Sequence, residues 1–333
     1  MTRTVVGSGD VPETLKQAVE ILRRGGLVAF PTETVYGLGA DALNPEAITR
    51  VFAAKGRPLD NPLIIHVAAA HLMDRFSASV PAIARRLAEA FWPGPLTVIV
   101  ERNDLVPDEV TAGLDTVAIR VPRHPVTLRL LEMFDGGIVG PSANVSGRPS
   151  PTRAEHVMQD LSGKIDFIID AGATSIGLES TVVDCTVSPP AILRTGAVTR
   201  EQIECVTGAT QPPGTTPTPR SPGTRHCHYA PRAKVVLVVR GDAGSASALA
   251  RTLSDRRLKG VLISHSTSMN EIDIAGMRHV RLASEEELAR RLYQLFRELD
   301  DAGADVVAVE TVEERGLGVA IMDRLKRASG EGA

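Results

Sequence analysis

Six prolines fall between positions 212 and 231, in a stretch that reads GATQPPGTTPTPRSPGTRHCHYAPR and carries neither a helical nor a strand period. Such a segment cannot donate or propagate regular backbone hydrogen bonds, so no single sheet or helix runs through it, and it is expected to be an extended, semi-rigid connector. The chain therefore divides into a domain over residues 1–207, a linker over 208–232 and a smaller domain over 233–333. With 333 residues, 43% of them hydrophobic and 23% charged, there is enough apolar material for a core in each part.

Before the linker, Leu15, Ala18, Val19 and Leu22 share one helical face in GDVPETLKQAVEILRRGG. Asp10 and Glu13 have capping-box spacing, and Gly25 or Gly26 ends the helix. A strand LVAF stops at Pro31 and leaves PTETVYGLGADA as a Gly-rich loop with no phosphate role of its own. Asn44 and Pro45 open a second helix that Gly56 and Pro58 close, so Lys55 and Arg57 flank a helix end. NPLIIHV, PLTVIVE, TVAIRVP, GGIVG, DFIIDAG and STVVDCT are short apolar runs bounded by Gly, Pro or Asp, with a helix over 81–91 among them. This part reads as α/β on a mixed sheet. After the linker, KVVLVV, GVLIS, HVRLA and DVVAVE read as buried strands of a parallel sheet, and Leu288, Leu292, Leu295, Phe296 and Leu299 mark a helix capped by Ser284 and Glu287.

Several function classes are disfavoured at once. No apolar run reaches the length of a membrane span and no targeting segment opens the chain, so a cytoplasmic protein with no membrane partner is expected. Cys185, Cys205 and Cys227 are too few and too scattered for a disulfide framework or a four-thiolate zinc site. The formal charge of −3 speaks against wholesale coating of a nucleic acid, so any anionic ligand must be met by local positive charge. Neither a Walker loop, nor a dinucleotide fingerprint, nor a nucleophile elbow occurs. What remains is a set of polar residues at strand ends and in loops, which suits the binding and alignment of anions: Thr32, Thr34, Lys55, Arg57, Asn61, His66, Thr116, Arg120, Ser142, Asn144, Ser150, Ser180 and Arg194.

Each of these has an ordinary structural reading too. His66 in LIIHV is by itself a hydrogen-bonded structural histidine, and Lys55 a charge that offsets a helix dipole. Ser142, Asn144 and Ser150 are turn formers among Gly147, Pro149 and Pro151, and Arg120 alternates outward from VAIRV as a solvated strand residue would. In RHCHYAP, His226, Cys227 and His228 are adjacent residues that point apart in an extended chain, a poor arrangement for metal.

The order of the motifs is more telling than any one of them. PTETVYGLGADA, KGRPLDNPLIIHV, FWPGPLTVIV, TVAIRVPRHP, GPSANVSGRPSPT, ESTVVD and LRTGAV follow one another as they do in the YrdC/Sua5 family, and SPGTRHCHYAP and GLGVAIMDRL resemble its Sua5 branch. The resemblance spans nearly the whole chain. It implies a YrdC-like domain with a twisted mixed sheet and a basic groove, joined by the Pro-rich linker to a small Rossmann-like α/β domain. It also implies synthesis of threonylcarbamoyl-AMP and pyrophosphate from L-threonine, bicarbonate and ATP, with Mg2+ on the nucleotide, and delivery to the tRNA threonylcarbamoyl-transfer machinery. Lys55, Arg57, Ser142 and Asn144 match the family's catalytic Lys-x-Arg and Ser-x-Asn pairs. By the same resemblance Arg57, Asn61, Thr116, Gly140, Ser142, Ser150, Arg194 and Tyr229 would contact ATP, and Thr34, His66, Arg120 and Ser180 would hold threonine. The linker would pass over the groove as a lid, with contacts at Thr224 and Cys227 departing from the family's usual residues. Two other readings compete: a double-stranded RNA-binding module using Arg57, Arg120, Arg148 and Arg194, and a carbamoyltransferase acting on another acceptor.

Overall fold

Apolar residues on both faces of nearly every strand of the first domain force the sheet into the interior, with helices on its faces. In the computed structural model, which describes residues 3–211, 229–269, 272, 274 and 276–331, the chain divides into two compact units. Met1–Ser146, Ser150–Ser175 and Glu179–Arg225 form the first, and Gly147–Pro149, Ile176–Leu178 and His226–Ala333 the second.

Eleven strands of the first unit form one mixed sheet. Its order from one edge is Val5–Ser8, Phe167–Asp170, Val28–Phe30, Gly37–Asp41, Ile138–Val139, Ile64–His66, Thr116–Arg120, Leu96–Arg102, Thr181–Asp184 and Ala191–Arg194, with Ser77–Ser79 pairing Leu96–Arg102. Alternation along each strand sorts its residues between two layers. Leu27 and Ala29 join the main core, whereas Val28 and Phe30 pack with Leu15, Leu22, Leu130, Leu131 and Phe167 on the opposite face. The helices Pro12–Arg23 and Pro125–Phe134 cover that second layer. Further along the sheet the main core takes Ile65, Val98, Val100, Val117, Ile119 and Val183. The other face there holds only a small cluster of Ile64, Ile99, Ala118 and Val182.

Two local expectations change. The first helix starts at Pro12 with Val11 as its N-cap and no side-chain cap, so Asp10 and Glu13 form no capping box. Proline at the first helical position, with its fixed φ and no N–H to satisfy, starts the helix by itself. The Gly-rich stretch forms the strand Gly37–Asp41 instead of a loop. A Cβ on Gly37 would lie 2.8 Å from the Phe30 ring and one on Gly39 2.8 Å from the Val28 carbonyl oxygen, so these glycines let two strands close on each other. The second helix, Pro45–Lys55, agrees with its reading: Asn44 accepts from the Ala47 N–H at 3.1 Å, and Gly56 ends it at φ 60°.

The second unit holds a parallel sheet ordered Lys234–Val238, Val306–Glu310, Gly260–Ser264, Met277–Arg281. The helix Glu285–Asp301 begins where expected: Ser284 Oγ accepts from the Glu287 N–H, and the Glu287 carboxylate accepts from the Ala283 N–H at 2.7 Å. Most of the proline-rich stretch, with Thr224 and the run His226, Cys227 and His228, lies outside the described residues.

Candidate active site

Several candidate residues of the first unit are gathered by strand periodicity. Ile65 and the pair Val117 and Ile119 point into the main core, so His66, Thr116 and Arg120 point to the other face. His66 and Arg120 are register partners on neighbouring parallel strands. On the next strand Val98 faces the main core and Thr97 the site, and Thr97 Oγ1 meets Ser180 Oγ at 2.7 Å. The backbone between these groups is a bridge: Gly94 O accepts from Arg120 Nε at 3.1 Å, and Pro95 O accepts from the Thr181 N–H at 3.0 Å.

Arg120 is buried, so the solvated reading of this arginine does not hold. Its Nη1 donates to Thr34 Oγ1 at 3.0 Å. Thr34 Oγ1 lies 2.7 Å from Thr32 Oγ1, which also lies 2.6 Å from the Val35 carbonyl oxygen. Because Arg120 can only donate, one consistent chain of donors runs from Arg120 through the Thr34 and Thr32 hydroxyls to that carbonyl. The remaining guanidinium nitrogen, Nη2, stands 2.8 Å from Glu33 Oε1, with side-chain exposures of 4% and 2%. That contact is an ion pair without hydrogen-bond alignment, since neither Nη2 nor either Glu33 oxygen has a hydrogen-bond partner among the described residues.

His66 packs edge-on against Phe30, with ring centroids 5.5 Å apart, and its Nδ1 has no hydrogen-bond partner among the described residues. Burial, reinforced by the Arg120 charge, lowers its pKa to about 3, so the ring is neutral at physiological pH. The unfolded chain takes up a proton near 6.5 that the folded chain refuses until about 3. This stability is therefore complete above about pH 6.5 and is lost as pH falls toward 3, at up to about 1.4 kcal/mol per pH unit. Denaturant midpoints measured between pH 4 and 7 should fall less steeply for His66→Gln than for the unsubstituted protein. The ring is held in place by a glycine: a Cβ on Gly140 would lie 2.7 Å from His66 Cε1 and Nδ1 and 2.8 Å from Phe30 Cζ. Gly140→Ala is expected to lower stability by about 1–3 kcal/mol in thermal unfolding by displacing the His66 ring.

The loop carrying Ser142 and Asn144 is joined to the helix end that carries Lys55. Lys55 is 1% exposed, and its Nζ donates to the carbonyl oxygens of Ser142 and Asn144, the latter at 2.7 Å. The Ser146 N–H returns a bond to the Lys55 carbonyl at 2.9 Å. Burial first, then the Arg57 charge, hold the Lys55 pKa well below its ordinary value, with Asp160 opposing them. Lys55 thus braces the loop through its backbone. Arg57 is half-buried and donates to the carbonyls of Asn61 and Pro62 at 3.2 and 3.0 Å, shaping the turn in which Asn61 is buried. The Ser142 segment in turn bridges Gly37, and the Ala143 N–H donates to the Tyr36 carbonyl at 2.8 Å. The loop with Ser142 and the segment with Thr34 are thereby held side by side.

Arg194 donates from Nε to the Ser180 carbonyl at 3.0 Å and from Nη2 to Ser180 Oγ at 3.1 Å, so an ATP candidate and a threonine candidate form one cluster. Ser150 Oγ donates to Glu179 Oε1 at 2.6 Å. Tyr229 belongs to the second unit, where it stacks on Tyr293 at 5.5 Å with Arg324 over its ring at 5.3 Å. The burial of Arg120 and Arg194 removes two of the four arginines on which an RNA-binding face would depend. Glu33, Thr97 and Glu179 contact these groups in the structure but do not stand out in the sequence. A single acid between two threonines in PTETVYG, and a polar residue at an alternating position of PLTVIV, were the available signals.

A family model described as "Telomere recombination", for the Sua5, YciO and YrdC group, matches residues 20–196, and one described as "Threonylcarbamoyl-AMP synthase, C-terminal domain" matches residues 198–330. A threonylcarbamoyl-AMP synthase of Pyrococcus abyssi is 45% identical over 326 residues, covering 95% of this chain and 94% of that protein. The chain belongs to the Sua5 family. Another Sua5-family relative, the threonylcarbamoyl-AMP synthase of Bacillus subtilis, is 41% identical over 325 residues, covering 95% of this chain and 93% of that protein. The solved structure of P. abyssi Sua5 complexed with L-threonine superposes with a TM-score of 0.89 at 42% identity, covering 100% of this chain and 98% of that one.

Proposed function

We infer that this chain is a threonylcarbamoyl-AMP synthase, joining L-threonine, bicarbonate and ATP into threonylcarbamoyl-AMP and pyrophosphate for threonylcarbamoyl-adenosine formation on tRNA. The observation that carries this reading is the buried Arg120, with an unaligned Nη2, beside Thr34 and the bare Nδ1 of a neutral His66. A guanidinium pairs with a carboxylate, and a neutral imidazole nitrogen can accept from a hydroxyl. Threonine carries both groups, and a relative has been solved with threonine bound.

The chemistry asks for alignment more than for a protein nucleophile. The amine first captures bicarbonate as a carbamate, whose oxygen then attacks the α-phosphorus and expels pyrophosphate. A carbamate is a weak, anionic nucleophile approaching an anionic chain, so positive charge and orientation must supply the acceleration. We assign Arg57, Asn61, Thr116, Gly140, Ser142, Ser150, Arg194 and Tyr229 to ATP, and Thr34, His66, Arg120 and Ser180 to threonine. Lys55 and Asn144 complete the catalytic set, with Lys55 keeping the Ser142 loop in register. Mg2+ would accompany the ATP phosphates; among the described residues no group of three or more His, Cys, Asp or Glu is placed to hold a metal ion.

A basic groove and a Rossmann-like second unit complete the reading, the latter supported by the four parallel strands of that unit. No helix among the described residues is long and apolar enough to cross a membrane. Incubation of the purified chain with labelled bicarbonate, threonine and ATP should yield pyrophosphate and a labelled acyl-adenylate. A folded protein that forms no such product in response to threonine would refute the assignment.

A further inference from the structure

The site holds a charge that the assignments above leave unused. Glu33 is buried beside Arg120, and both of its oxygens stand without a hydrogen-bond partner among the described residues. A buried carboxylate ordinarily collects several donors, so an empty one in contact with a substrate-binding guanidinium is a feature in need of a partner. An α-amino acid supplies the matching pair of charges: its carboxylate suits Arg120, and its ammonium sits one carbon away. The Arg120–Glu33 pair and the zwitterion are both neutral overall, so docking one on the other leaves no unbalanced buried charge.

We propose that Glu33 receives the substrate's ammonium group and accepts the proton it must lose before its nitrogen attacks bicarbonate. This rests on the threonine-binding reading above and extends it to a residue that the family resemblance did not assign. In the step, the N–C bond forms and one C–O bond of bicarbonate breaks. The ammonium gives up two protons: one leaves with the departing hydroxide as water, and the other rests on Glu33. The groups facing Glu33 are few. Arg120 touches it, His124 feels its charge, and the Thr32 and Thr34 hydroxyls are committed to the chain of hydrogen bonds from Arg120. Burial lowers the pKa of His124, with Glu33 opposing, and that of His66 to about 3, which makes both imidazoles weak proton acceptors.

The test uses the full chain, isothermal titration calorimetry, and two ligands that differ only in the amine: L-threonine and (R)-3-hydroxybutanoate. The intact protein should prefer threonine by about 30-fold or more, and Glu33→Gln should compress that preference to about threefold while binding ATP as before. Loss of a merely structural contact would weaken both ligands together and leave the ratio unchanged, and that result would overturn the proposal. Should Glu33→Gln not fold, the intact protein still decides, because equal affinity for the two ligands would also overturn it. A chain that binds neither ligand would instead sink the threonine reading itself. The proton-transfer half has its own readout: turnover by Glu33→Gln should rise about tenfold per pH unit below the pKa of the substrate amine, while that of the unsubstituted enzyme stays nearly flat. A flat profile in the variant would remove Glu33 from that step.

Discussion

Arg120→Ala is expected to lower threonine-dependent turnover by about two to three orders of magnitude, and to destabilise the fold by roughly 3–5 kcal/mol as well. The two losses have different origins and can be separated. Turnover falls because the guanidinium that would take the substrate carboxylate is gone. Stability falls because Glu33, 2% exposed, is left with its charge uncompensated, and because the Gly94 carbonyl and the Thr34 hydroxyl lose a donor. The double substitution Arg120→Met with Glu33→Gln removes both charges and should recover most of the thermal stability without recovering activity. Steady-state kinetics beside thermal unfolding would show the split, and a double variant that regains turnover would mean that Arg120 serves only the fold.

Lys55→Met is expected to give the second-largest effect, a loss of about a hundredfold in turnover with roughly 2–5 kcal/mol of stability. Lys55 Nζ, on a buried side chain, satisfies two backbone carbonyls, of Ser142 and Asn144. Methionine fills the volume but offers no donor, so both carbonyls stay unpaired and the loop bearing the Ser142 hydroxyl relaxes. Arginine should not rescue the site, since its planar fork needs more room than a 1% exposed ammonium occupies. The affinity for ATP should fall together with turnover. Unchanged affinity in a folded variant would mean that the brace does not shape the nucleotide site.

The sequence made part of this arrangement legible, through periodicity. The alternation in VAIRV turns Arg120 away from Val117 and Ile119, which join the main core, and the structure keeps that orientation but buries the arginine. Asn44, Pro45 and Gly56 mark the helix that ends at Lys55, because caps and left-handed glycines act locally. Local signals misled where a long-range contact prevailed. The glycines of YGLGADA read as a loop, yet they make a strand because Phe30 and Val28 approach too closely for a side chain. The brace from Lys55 to the Ser142 and Asn144 carbonyls joins residues 87 and 89 positions apart, and no spacing rule encodes such a bond. Glu33 was hidden for a related reason. An acid between two threonines in a loop looks solvated until the fold buries it against an arginine 87 positions downstream in the sequence.

In the proposed reaction, one face of the first unit's sheet aligns an amino acid with a nucleotide. A crystal structure of the chain with L-threonine and a non-hydrolysable ATP analogue tests it most directly. The threonine carboxylate should pair with Arg120, and the triphosphate should lie among Arg57, Ser142 and Arg194. Threonine bound without contact to Arg120, or a nucleotide held away from the loop that Lys55 braces, would contradict the account.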